Sequence, residues 1–144
     1  PQLASHGLKV GVIKHTHHDF DIDRPGKDSW RAREAGAAAV LLASDHRTAV
    51  LIEHRDTPPL LDDLLAQLPP CDLVLVEGYK HEPIPKLEVH RDETAKPWLF
   101  PDDPNILAVA SDIEPRPSFP RIDIDDVQQL TDFILNHALS RPTA

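Results

Sequence analysis

The sequence predicts a mixed α/β domain, with helices on the faces of a mostly parallel sheet and one antiparallel hairpin. Short apolar segments rich in β-branched residues alternate along the chain with segments whose leucines follow helical spacing. Near-continuous apolar strands are typical of parallel strands buried on both faces. Two apolar segments separated only by Asp45-His46-Arg47 are too close for a crossover and therefore indicate an antiparallel pair.

The first elements follow from local signals. Residues 1–7 are typical of the end of a helix, because Gly7 suits the position after the last turn. Residues 8–14 are apolar and β-branched, which predicts a strand, and residues 15–27 form a polar loop. An Asp or Ser cap then begins a helix over about 28–36.

The middle of the chain supplies the hairpin, a helix and a buried strand. Residues 38–44 predict a buried strand and residues 48–54 predict the next strand, and the two are the arms of the hairpin. Pro58-Pro59 begins a helix over 60–68, where the leucines follow helical spacing. Residues 72–78 are almost continuously apolar and predict a buried parallel strand.

The last part adds two strands and a helix. Residues 86–90 alternate, which predicts a strand with one solvated face, and residues 105–112 predict another buried strand. Residues 113–121 contain three prolines and predict an extended linker. A final helix with an apolar stripe begins after Asp125 or Asp126.

Length and composition narrow the class of protein. A chain of 144 residues is the size of one domain, so we expect residues 1–144 to form a single domain. The net charge of −9 argues against a nucleic-acid partner, and no apolar run approaches the ~20 residues that span a membrane. The single cysteine, Cys71, excludes an intrachain disulfide and suits the cytoplasm.

Polar residues follow three of the predicted strands. They are the Lys14–Asp23 segment, Glu77-Gly78 and Ser111-Asp112. In open α/β sheets ligands bind outside the carboxyl ends of the parallel strands. We therefore expect these three strand ends to converge on one site.

The segment V-I-K-H-T-H-H-D-F-D-I-D, residues 12–23, is open to three interpretations. Imidazole and carboxylate groups are ligands for divalent metals, but His15, His17 and His18 follow no established zinc spacing. The segment also lacks the glycine and distal glutamate of a calcium loop. A metal site, a solvated loop and a loop that contacts phosphates and magnesium all remain open.

Two further motifs bear on phosphate binding. P-G-K-D-S, residues 25–29, resembles the tail of G-x-x-x-x-G-K-[ST], but Asp21 and Asp28 stand where Gly and Ser or Thr are required. Lys27 and Arg31 are still candidates to attract an anion. Glu77 closes a buried apolar strand, as a carboxylate that holds magnesium does, although a solvated strand end explains it equally well.

The motif L-A-V-A-S-D, residues 107–112, ends a strand in a short polar turn. A carboxylate such as that of Asp112 can accept hydrogen bonds from both N1–H and the 2-amino group of guanine, whereas adenine offers no such pair. An ordinary Asp in a turn is the alternative.

Together these stretches resemble a known family. The motifs are V-G-V-I-K-H-T-H-H-D-F-D-I-D-x-P-G-K-D-S-x-R-x-R-E-A-G-A, D-L-V-L-V-E-G-Y-K, P-K-L-E-V-H-R and A-V-A-S-D. They are similar to those of the MobB family of molybdopterin-guanine dinucleotide biosynthesis adaptor proteins, from about Leu8 to Asp112. The resemblance implies a three-layer P-loop NTPase-like fold.

The resemblance also implies a function. Proteins of this family bind GTP with Mg²⁺, hydrolyse it slowly, form homodimers and assist a MobA-like guanylyltransferase that attaches GMP to molybdopterin. Carried over onto this sequence, the resemblance implies phosphate contacts, guanine contacts and magnesium ligands. The phosphate candidates are Lys14, His15, Thr16, Lys27, Ser29 and Arg31, the guanine candidates are Ser111 and Asp112, and the magnesium candidates are Glu77 and Asp19.

One departure from the family pattern is large. The family places a strand and the loop G-x-x-x-x-G-K-T before the helix whose end resembles residues 1–7, and the sequence contains neither. We expect the chain to be a fragment of a longer protein, or else a short form that kept only the partner surface. Two other functions are a small-molecule kinase or ATP-dependent synthase of the same superfamily, and a histidine-loop metal-binding protein.

Overall fold

A computed structural model describes residues 1–16 and 20–138. It divides into two compact units. The first consists of Pro1–Val12, Pro70–Leu75 and the chain from Tyr79 onward, and the second consists of Ile13–Pro69 and Val76–Gly78. In chain order the elements are α1 (Gln2–Ser5), β1 (Val10–Lys14), α2 (Asp28–Glu34), β2 (Ala39–Ala43), β3 (Thr48–Ile52), α3 (Leu61–Leu65), β4 (Leu73–Glu77), β5 (Lys86–His90), a short 3₁₀ helix (Asp92–Thr94), β6 (Ile106–Ser111), β7 (Arg121–Asp123) and α4 (Val127–Ala138).

Strands β1 and β4 pair with each other. At one end of the pair the Asp72 N–H donates to the Lys9 carbonyl at 2.9 Å, and at the other the His15 N–H donates to the Glu77 carbonyl at 2.9 Å. Residue numbers rise together along both strands, so the pair is parallel. The predicted parallel pattern is therefore confirmed, and both carboxyl ends lie at the same edge.

Strands β2 and β3 form the predicted antiparallel hairpin. Its register pairs Leu41 with Val50 and Ala43 with Thr48. The Ser44 N–H donates to the Arg47 carbonyl at 2.8 Å, and the Ser44 hydroxyl accepts from the Arg47 N–H at 3.1 Å, which closes the short turn. Neither strand contains a buried residue, so the prediction of a buried strand over residues 38–44 is wrong: the strand forms, but its leucines are exposed because the described residues do not cover them.

The first unit contains a three-stranded parallel sheet in the order β5-β6-β7. Strand β6 is central and almost entirely buried, as its apolar sequence predicts. Phe100, Ile106 and Val109 form a buried cluster, and Trp98 and Phe119 pack against it. The Phe100 and Phe119 rings stack with centroids 4.4 Å apart.

Two details of this sheet differ from the expectations. Residues 113–121 are not only a linker, because β7 begins at Arg121 and pairs with β6. Strand β5 does have one solvated face, but Val89 occupies it and is 70% exposed, whereas Glu88 and His90 are buried. The buried pair is satisfied locally, since the Glu88 carboxylate accepts hydrogen bonds from the backbone and the His90 ring stacks on Trp98.

Among residues 1–16 and 20–138, helices fall short of the length and apolar character that crossing a bilayer requires.

Candidate functional site

The carboxyl ends of β1 and β4 bring together side chains that the sequence predicted to meet. Lys14 Nζ lies 2.9 Å from Glu77 Oε1, and both side chains are about two-thirds exposed, at 67% and 64%. Such an exposed ion pair contributes little to the free energy of unfolding, about 0–1 kcal/mol. Its two groups are therefore available to a ligand at little cost to the fold.

Gly78 follows Glu77 in a conformation that requires glycine. Its φ is +88°, and a Cβ atom at this position would lie only 2.9 Å from the His15 Cβ. Tyr79 continues the turn with a φ of +48°. The backbone after β4 thus turns sharply beside the loop that follows β1, which leaves the Glu77 carboxylate at the rim of the strand ends.

A network of charges joins residues 21–23 to α2. Asp21 Oδ1 accepts from the Asp23 N–H at 2.8 Å and from Arg33 Nη1 at 2.8 Å. Asp23 Oδ1 accepts from the Ser29 hydroxyl at 2.9 Å. Asp23 Oδ2 is buried with no hydrogen-bond partner in the described part of the chain, and lies 3.8 Å from Arg33 Nη1. Asp21 and Asp23 are therefore tied to α2 through their carboxylates.

Arg33 is the centre of this network. Its side chain is only 18% exposed, and its Nε also donates to Glu53 Oε1 at 2.7 Å, next to the hairpin. Hydrogen bonds to Glu53 and Asp21 hold the pKa of Arg33 above its ordinary value. The Asp23 N–H and the Arg33 guanidinium lower the pKa of Asp21. Arg33 and Glu53 stand 20 positions apart, so no local pattern in the sequence indicated their pairing.

The phosphate candidates differ in their surroundings. Lys27 is exposed at the position before α2, Arg31 is exposed within α2, and His15 is exposed after β1. Thr16 is half-buried. Ser29 is half-buried as well, and its hydroxyl already donates to Asp23. Among the six candidates, the exposed cations Lys14, Lys27 and Arg31 are therefore the groups best suited to an anion.

Three predicted ligands, His17, His18 and Asp19, lie outside the described residues. Within the described ranges no cluster of three His, Cys, Asp or Glu side chains could hold a metal ion.

Ser111 and Asp112 end β6, which belongs to a different sheet from β1 and β4. Ser111 is fully buried and its hydroxyl accepts from the Ile113 N–H at 3.1 Å, so the side chain shapes the turn. Asp112 is exposed, and its Oδ1 accepts from the Asp92 N–H at 3.0 Å. The predicted convergence is thus seen for the ends of β1 and β4, and for β6 it stays a prediction.

The parallel β1–β4 pair, the antiparallel hairpin and the interleaved helices define the class of protein: a mixed α/β protein. The family model described as "Molybdopterin guanine dinucleotide synthesis protein B", MobB, matches residues 1–112. The chain belongs to the MobB family.

Individual relatives agree with this assignment. A molybdopterin-guanine dinucleotide biosynthesis adapter protein of Haemophilus influenzae is 45% identical over 138 residues, covering 94% of this chain and 76% of the relative. One of Escherichia coli is 42% identical over 139 residues, covering 94% and 79%. The crystal structure of a MobB homolog from Bacillus stearothermophilus superposes with a TM-score of 0.66 at 25% identity, covering 97% of this chain and 84% of that chain.

Proposed function

We propose that this protein is a cytoplasmic adapter of molybdopterin-guanine dinucleotide synthesis that binds GTP with Mg²⁺ and assists a MobA-like guanylyltransferase. Residues 1–144 make up a single domain in this proposal. The observation that carries it is the family match over residues 1–112, which includes the strand ends where Lys14 and Glu77 meet. The relatives from Haemophilus influenzae and Escherichia coli carry the adapter name.

The groups at the ends of β1 and β4 fit a magnesium nucleotide. Mg²⁺ prefers carboxylate oxygen, and Glu77 offers an exposed carboxylate at the end of β4. Asp19 is the second proposed magnesium residue. When bound, Mg²⁺ neutralises part of the phosphate charge. Lys14, Lys27 and Arg31 supply cationic contacts to phosphate, and residues 15–16 supply backbone and polar contacts.

The carboxylate of Asp112 is suited to accept hydrogen bonds from guanine. One of its oxygens accepts from the Asp92 N–H, and the exposed carboxylate retains capacity to accept from a base. Ser111 acts by shaping the turn that presents Asp112. GTP rather than ATP is therefore the proposed nucleotide.

We also propose that the protein forms a homodimer through the β2–β3 hairpin. Leu41 and Val50 face each other in its register, and they are 64% and 54% exposed. Leu42 and Ile52 add exposures of 41% and 42%. Monomeric proteins seldom expose so many large apolar side chains on one small element, so a second copy is the proposed partner of the hairpin.

The adapter function is tested by reconstitution. The full-length protein is added to molybdopterin, a MobA-like guanylyltransferase and Mg-GTP, and the dinucleotide formed is quantified by chromatography. We expect the protein to bind the transferase and to increase the rate of product formation. An unchanged rate together with no association between the two proteins would contradict the proposal.

The guanine contact is tested by titrating an Asp112→Asn variant with a fluorescent GTP analogue, which measures its affinity for GTP. Asparagine keeps an oxygen for the Asp92 N–H, but its amide group cannot accept from the base. We expect the affinity for GTP to fall by about tenfold or more. Asp102→Asn, at an exposed position, is the matched control and leaves the affinity unchanged. Equal affinities of the two variants for GTP would show that Asp112 does not contact the guanine base.

A further inference from the structure

The three-stranded sheet carries a groove that the proposed nucleotide contacts do not use. It lies over β5 and the segment that follows it, and encloses about 550 Å³. Small-molecule sites enclose roughly 300–1,000 Å³. The groove therefore has the size of a site for one ring system with a charged substituent.

Most polar groups of the motif P-K-L-E-V-H-R, residues 85–91, are already bound within the protein. Lys86 Nζ lies 2.8 Å from Asp103 Oδ2. Glu88 is 7% exposed, and its two carboxylate oxygens accept from the backbone N–H groups of Leu99 and Phe100, each at 2.9 Å. Glu88 is the one carboxylate in the lining among the described residues. Because both of its oxygens accept from the backbone, Glu88 stabilises residues 99–100 and its charge is partly compensated within the protein.

Cations dominate the rest of the charged lining. Lys80 and Lys96 are exposed and make no ion pair in the parts of the chain that the structure describes. Arg91 is paired with Asp125 at 3.3 Å, but both side chains are well exposed, so the pair is weak. Three cations in one groove of a chain with a net charge of −9 create a local site for an anion.

The groove also offers an apolar wall and a ring donor. Val89 is 70% exposed and Leu99 is 45% exposed, and Pro97 lines the same space. His90 is held by stacking on Trp98, with ring centroids 3.8 Å apart. Its ring nitrogens make no hydrogen bond to the described residues, so a fixed imidazole is left to bond a ligand atom.

We propose that this groove binds the phosphate ester of a flat heterocycle. The phosphate is held by Lys80, Lys96 and Arg91, and the ring lies on the apolar wall. The three cations, the apolar wall and the volume of the groove carry this inference by themselves. Only the choice of a pterin as the heterocycle rests on the proposed function, because that function handles a phosphorylated pterin.

The test is a fluorescence titration of the full-length protein with 6-hydroxymethylpterin phosphate and with unphosphorylated 6-hydroxymethylpterin. Inorganic phosphate and GMP serve as competitors. The variants are Lys80→Gln, Lys96→Gln and the double variant. Lys9→Gln is the matched control, since Lys9 is exposed in the same unit but does not line the groove.

We expect the pterin phosphate to bind more tightly than the unphosphorylated pterin, and the double variant to raise its Kd by about tenfold or more. Lys9→Gln leaves the Kd unchanged. Equal Kd values for the double variant and the control, or equal binding of both pterins, overturn the proposal. Competition by GMP at equal affinity assigns the groove to a nucleotide and overturns the pterin assignment.

A titration of the same variants with Mg-GTP separates this inference from the proposed function. Weaker pterin phosphate binding with unchanged GTP affinity supports a site of its own. Failure of the proposed function alone gives no GTP binding in the wild type, with pterin phosphate binding retained.

Discussion

At the scale of the residue, the candidate site depends on a close approach between Gly78 and His15. A side chain at position 78 faces both an unfavourable φ of +88° and the His15 Cβ at 2.9 Å. Gly26 has nearly the same φ, +85°, but its missing Cβ would meet only open space. Alanine at Gly26 would introduce backbone strain alone, whereas alanine at Gly78 would introduce backbone strain and a steric clash.

We predict that Gly78→Ala lowers the free energy of unfolding by more than Gly26→Ala does. Left-handed backbone at a non-glycine residue costs about 1–2 kcal/mol, which is the expected effect at Gly26. At Gly78 the displacement of His15 adds to this cost. Urea unfolding of both variants measures the difference. Equal losses of unfolding free energy in the two variants would show that His15 moves aside at no energetic cost.

The sequence predicted the positions of some residues of the candidate site but not the contacts of others. Glu77 and Gly78 were predictable, because an acidic residue and a glycine that end an apolar strand lie at the sheet edge by topology alone. The bond from Arg33 to Glu53 was not, because it joins a helix to the hairpin across 20 positions. The role of Ser29 also required the structure, since its hydroxyl donates to Asp23.

At the scale of the element, β5 shows where periodicity reaches its limit. Alternation in Lys86–His90 correctly predicted a strand with two unlike faces. It did not predict that Glu88 and His90 turn inward, because their partners come from residues 98–100, which follow the strand. Strand β7 was missed for a related reason, since three residues after a proline-rich segment carry too little pattern to predict a strand.

The ion pair that anchors the start of β5 makes a prediction about acid stability. Hydrogen bonds from Lys86 and from Asn105 lower the pKa of Asp103 from 3.8 to about 2. The carboxylate therefore stabilises the fold fully above the unfolded-state pKa, and this contribution is lost as the pH falls from 3.8 to about 2.

We expect Asp103→Asn to be less stable than the wild type near neutral pH, with a difference that shrinks as the pH falls through this window. Urea unfolding at several pH values measures it. Asp102→Asn, at the exposed neighbouring position, is the control and keeps the wild-type profile. A difference between Asp103→Asn and wild type that stays constant across the window would contradict the role given to the Lys86–Asp103 pair.

At the scale of the whole molecule, the mixed α/β class and the hairpin could be predicted, and the comparisons confirm the family. The hairpin was predicted from its short connection, but its lack of buried residues was not, because its apolar sequence is typical of strands inside a core. An apolar element that its own chain does not cover is the feature that the proposed homodimer explains.

We predict that Leu41→Asp prevents formation of the proposed homodimer, because a carboxylate at the centre of an apolar interface is left without a partner. Sedimentation velocity of the full-length protein measures the change. Leu60→Asp is the matched control, since Leu60 is 70% exposed but lies outside the hairpin. A Leu41→Asp protein that remains dimeric would exclude the hairpin from the interface.

Binding of a magnesium guanine nucleotide at the ends of β1 and β4 is tested by titrating the full-length protein with fluorescent GTP and ATP analogues, with and without Mg²⁺. We predict tighter binding of GTP, and a Glu77→Gln variant whose Kd for Mg-GTP rises by about tenfold or more while binding without Mg²⁺ is unchanged. Glu34→Gln, exposed on α2, serves as the control. Equal affinity for GTP and ATP, or a Glu77→Gln variant that binds Mg-GTP as the wild type does, would contradict a magnesium guanine nucleotide site at these strand ends.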